Sequence, residues 1–200
     1  MMKKHPYSTI SLVVLAMWMT VGTMAQRISF GLYATDDIVL IPGSVSDLDF
    51  NSKQSIILPG NTVTISLSDN PVAVLTLTAR EDLDVTVTLI SPSYLWMDAD
   101  NKIPFSLQFA YSNQGAGNEI VAKTQAIPVP GGFTTVTVPV LRRAGGPPGP
   151  PPAPPTPGHS LPTAVTYLFV YGVLGPVPMN VSCGEYSGII NVHASYSVTP

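Results

Sequence analysis

At 200 residues, with 45% hydrophobic but only 10% charged side chains, the chain can bury one sizeable core and has little ionic surface. A formal net charge of −3 with nine basic residues leaves no patch to neutralise phosphates, which excludes nucleic-acid binding as a reading. The single cysteine, Cys183, excludes an internal disulfide, so packing alone must hold the core.

Residues 1–25 have the make-up of an export signal. Lys3 and Lys4 open it, Ile10 to Met19 is mostly apolar, and Thr23-Met24-Ala25 places small residues where a signal peptidase reads. The apolar run is shorter than the roughly 20 residues a membrane helix needs, so cleavage after Ala25 is expected rather than an anchor. The remainder, 26–200, is expected to be one exported domain, in the periplasm and then at the cell surface or beyond, with no membrane span of its own.

From residue 26 onward the dominant period is two, the signature of strands with one face on a core. Ile28, Phe30 and Leu32 alternate with small residues. The same pattern recurs at Val63, Ile65 and Leu67, at Ala73, Leu75 and Leu77, and at Leu83, Val85, Val87 and Leu89. Phe105, Leu107, Phe109 and Tyr111 repeat it, as do Val136, Val138 and Val140. No window carries a helical apolar stripe. Eight to ten short strands separated by Gly, Pro, Asn and Asp predict an all-β chain, an immunoglobulin-like β-sandwich, with a closed barrel as the alternative.

Residues 144–162 interrupt this pattern with dense proline, which fixes φ and removes ladder donors. They are expected to form an extended, polyproline-like loop between two strands. After it come the apolar run Tyr167 to Gly172 and a turn, Gly184-Glu185, feeding a strand that ends near Tyr196. A strand placed there either closes a sheet or offers an edge to another polypeptide.

Residue types that carry chemistry are scattered. His193 sits on one face of the last strand, and Cys183 alone with it makes a poor metal site. Cys183 itself is expected as a small buried residue near a strand end. Asp98-Ala99-Asp100-Asn101-Lys102 has the oxygens of a calcium loop but a lysine where a ligand is wanted, so it reads as an inter-strand turn. No Gly-x-Ser-x-Gly elbow or phosphate-cradling glycine loop is present. No enzyme activity, metal or cofactor is expected. Tyr94 and Trp96 read in two ways, as core aromatics or as a sugar-stacking platform.

Val170-Tyr171-Gly172, followed by Gly184-Glu185-Tyr186-Ser187-Gly188 and the alternating segment through Tyr196, resembles fimbrial subunits of the chaperone–usher kind. The closer likeness is to spore-coat-U-like and related Bacteroidetes-type surface domains. The lone cysteine and the proline-rich insertion depart from that pattern. The resemblance implies a sandwich lacking one strand, completed by a neighbour's N-terminal segment. The donor would lie within 26–46, with Ile28, Phe30 and Leu32 pointing inward. The acceptor edge would be Gly188, Ile190, Val192, Ala194 and Tyr196. Other copies, and a periplasmic chaperone before assembly, are the implied partners, and a structural or adhesive fibre subunit the implied role. The reading that competes from a different class is a monomeric secreted module binding carbohydrate or protein through Tyr94 and Trp96.

Overall fold

The computed structural model describes residues 25–142 and 161–197. The signal segment and almost all of the proline-rich stretch, both expectations from sequence, lie outside the described residues. The chain is mostly β. Twelve strands run in chain order: β1 (Gln26–Ala34), β2 (Val39–Pro42), β3 (Leu48–Asp49), β4 (Val63–Ile65), β5 (Ala73–Arg80), β6 (Asp84–Ile90), β7 (Tyr94–Trp96), β8 (Lys102–Ser112), β9 (Ile127–Pro128), β10 (Thr135–Pro139), β11 (Thr163–Leu174) and β12 (Tyr186–Tyr196).

These strands form one curled, mixed sheet with the spatial order β10-β6-β12-β7-β8-β11-β5-β2, and β1, β3, β4 and β9 pair off this path. β8 makes the curl, pairing with β7 through Lys102, Ile103 and Pro104 and with β11 from Phe105 onward. The two flanks share one apolar cluster, in which Ile190, Val192 and Ala194 of β12 join Leu168, Phe169 and Val170 of β11. Alternation places the inward side chains. Val85, Val87 and Leu89 are buried while Thr86 and Thr88 face out, and the latter pair across to Thr137 and Thr135 of β10.

β11 is buried from Thr166 to Gly172 with no alternation, because both of its faces are covered. On one of them lies a short helix, α1 (Glu119–Thr124), whose Ala122 is fully buried. Helical structure at this point was not expected from the sequence. It is built by an Asn118 cap whose side chain accepts the Val121 N–H, with Glu119 in the first turn and Lys123 in the last. A stripe needs more than six residues to show itself as periodicity, and this helix has only that length.

Candidate functional site

The opening and closing strands meet. β1 pairs with β12 over its whole length, from Gln26 opposite Tyr186 to Ala34 opposite Ala194. The ladder continues beyond both ends, where Tyr186 N–H donates to the Ala25 carbonyl at 2.9 Å and Thr35 N–H to the Ala194 carbonyl at 3.1 Å. The flank that the resemblance leaves empty is therefore filled by the chain's own first strand. This corrects the expectation of a sheet incomplete within one chain. The physical reason is that Arg27 to Tyr33 has the inward pattern the groove needs and nothing steric keeps it out.

Each expected donor residue lies beside an expected acceptor residue. Ile28 faces Gly188, Phe30 faces Ile190, and Leu32 faces Val192. Ile28 is 0% exposed, whereas Phe30 and Leu32 are half-buried against the core. Gly188 is glycine for a packing reason, since a Cβ there would come within 2.9 Å of the Leu95 side chain. On the acceptor strand Ile190, Val192 and Ala194 are buried.

Three features set β1 apart. Its pairing with β12 is parallel, while every other pairing among the described strands is antiparallel. Its other side is covered only at Arg27 and Ile28, by β3, so Ser29 to Ala34 form a sheet edge. And its far end is clasped. The Tyr196 hydroxyl donates to Asp37 Oδ1 at 2.6 Å and accepts the Arg80 N–H at 3.1 Å, tying the turn after β1 to β12 and β5 together. Burial, then the bond to Asp37, pushes the Tyr196 hydroxyl above its usual value. Asp36 in the same turn takes a left-handed backbone, with φ of 57°.

Tyr94 and Trp96 are on the surface rather than in the core. Trp96 is 44% exposed and Leu95 between them is fully buried, so β7 turns both rings outward. The rings pack edge to face with centroids 5.9 Å apart, and the Lys102 ammonium lies 5.0 Å from the Tyr94 centroid and 5.3 Å from that of Trp96. A second aromatic pair was not foreseen. Tyr33 of β1 stacks on His193 of β12, with centroids 4.8 Å apart and an interplanar angle of 11°. No local signal announces it, because it depends on a register joining residues 160 positions apart in the chain.

The remaining candidates resolve simply. Asp98 accepts from the Asp100 and Asn101 backbone N–H groups and the Asn101 amide, which closes a turn and lowers its carboxyl below the usual range. Among the described residues no three His, Cys, Asp or Glu side chains converge as a metal group would need. Cys183 is exposed, not buried as expected, because it lies in the loop before β12 rather than in a strand. No described helix is long and apolar enough to cross a membrane. Compared with known proteins, the chain matches no family model and no curated protein.

Proposed function

We propose that the chain is an exported, non-enzymatic structural subunit of a surface fibre or coat, an immunoglobulin-like β-sandwich that joins its neighbours by exchanging β1. The observation that carries this reading is the parallel edge strand. Parallel ladders are slightly weaker per residue than antiparallel ones, and a strand held on its other side only at Arg27 and Ile28 has little else to break when it leaves. In one chain the orientation of β1 is dictated by its connection to β2. Delivered by a neighbour, the same strand is free to run antiparallel to β12 and gain the better ladder.

Exchange conserves most of the buried surface, so its equilibrium depends on such small differences and on local concentration. The side-chain contribution is large in either arrangement. Full burial of one side chain of this size is worth about 1.5–3 kcal/mol, and of the three only Ile28 is fully buried here. A chaperone that lends a strand to β12 would keep β1 free until a neighbour arrives.

The test is gel mobility of the purified mature chain after mild denaturant cycling, with and without boiling, together with a truncation lacking residues 26–34. Expected are a ladder that survives detergent until heated, and recovery of the truncated chain's fold on adding a peptide of residues 27–34. A strictly monomeric protein whose truncation stays unfolded with the peptide would overturn the proposal.

A further inference from the structure

We infer that the outer face of the β1–β12 layer is an extended binding site for a neutral polysaccharide, with an aromatic pair at each end. The inference goes beyond strand exchange and concerns the chain with β1 seated on its own β12. Ser187, Ile189, Asn191 and His193 point outward from β12. Trp96 is the register partner of Ser187, and Tyr33 that of His193. Six residues separate those two positions, so the pairs Tyr94/Trp96 and Tyr33/His193 lie about 20 Å apart on one face at ~3.3 Å per residue.

The surface between the pairs has the chemistry of a sugar chain's partner. Ser29 contributes a hydroxyl, Asn191 an amide, and Ile189 and Ile90 exposed apolar side chains, while Thr88 lies level with His193. Gly31 leaves room for the Asn191 amide there, since a Cβ at position 31 would stand 2.5 Å from Asn191 Oδ1 and 3.2 Å from the Tyr33 ring. A pyranose has an apolar C–H face that stacks on a ring and a hydroxyl rim that exchanges hydrogen bonds with amides and hydroxyls. Between the pairs no charged side chain faces out; at the Trp96 end the exposed Arg27, beside Ser187, stands opposite Asp49 of β3, and Lys102 is offset by Asp98 and Asp100 nearby in sequence. A neutral polymer therefore pays no charge-desolvation cost, and an anionic one gains no field. The hydroxyls and amide interrupting the apolar groups distinguish the face from a dry packing surface for a second copy.

The experiment is affinity electrophoresis of the monomeric full chain in hydroxyethylcellulose, xylan and galactomannan, with alginate as the anionic control. Trp96→Ala and Tyr33→Ala are compared with the unaltered chain, and the Tm of each is measured. Expected are retardation by at least one neutral polymer, a loss of about tenfold in affinity for each variant, tighter binding of hexasaccharides than disaccharides, and unchanged Tm. The proposal is overturned by no retardation in any neutral polymer, by retardation in alginate alone, or by loss in one variant with the other unaffected. It is equally overturned if the unaltered chain dimerises and Trp96→Ala dissociates the dimer.

Discussion

Tyr196 does the work of a latch. Its hydroxyl both donates and accepts, so Tyr196→Phe leaves the Asp37 carboxylate and the Arg80 N–H without that partner. At a half-exposed site we expect a loss of about 0.5–1.5 kcal/mol in chemical denaturation, with faster departure of β1 seen as faster amide exchange over residues 26–34. The raised pKa gives a sign to check. A hydroxyl whose folded value lies above the unfolded one stabilises fully below the unfolded value, and that stability is lost as pH rises through the folded one. The denaturation midpoint should therefore fall above roughly pH 10. Tyr196→Phe should flatten part of that fall, while Tyr171 and Tyr186, both raised by burial, retain the rest. Asp69 works at the opposite end of the scale. The Lys53 ammonium, then the Ser66 N–H and hydroxyl, hold its carboxyl at about 2 against an ordinary 3.8. Its contribution is present above 3.8 and lost as pH falls toward 2, so the acid limb of a pH–stability curve should shrink in Asp69→Asn.

Among the elements, β8 and β11 approach so closely that only glycine fits at position 172. A Cβ there would strike the Ser106 carbonyl oxygen and stand 3.0 Å from the Phe105 ring. Gly172→Ala should cost about 1–3 kcal/mol in Tm-derived or denaturant stability, the range for overpacking, because a backbone atom cannot swing aside. Ile28→Ala should cost about 2–5 kcal/mol and bear chiefly on β1, whereas Ile190→Ala, with a like cost, should loosen β1 and β6 on either side of β12. Much of this was legible in the sequence. β6, β8 and β12 each show three or more apolar residues at every second position, enough to fix the inward face. β2, β3, β7 and β9 have two to four residues and cannot display a period. β11 hides its alternation because both faces are buried. The surface position of Trp96 was not legible, although Tyr94, Leu95 and Trp96 must alternate between faces in a strand. What could not be read was which of the two faces Leu95 would choose, because that depends on the partner strands.

For the whole molecule, the strand that the resemblance assigns to a neighbour is found at home. Under the proposed function, assembly becomes a choice between two occupants of one flank, not the filling of a permanent gap. Strengthening the resident arrangement should then suppress polymers, and weakening it should promote them. Loss of the latch in Tyr196→Phe is accordingly expected to raise the detergent-resistant fraction, read as band intensity in unboiled samples. If polymers decline in that variant while the monomer stays folded, the two arrangements do not compete. The polysaccharide face adds a separate consequence, since Tyr33 travels with β1, so retardation in a neutral polymer should differ between monomer and assembled material. The pairing of residue 26 with residue 186 also bears on timing. Synthesis runs from the amino to the carboxyl side, so β1 waits through 160 further residues before its mate exists. During that interval it is a free, apolar, strand-forming tail, and whichever polypeptide reaches it first inherits the contact.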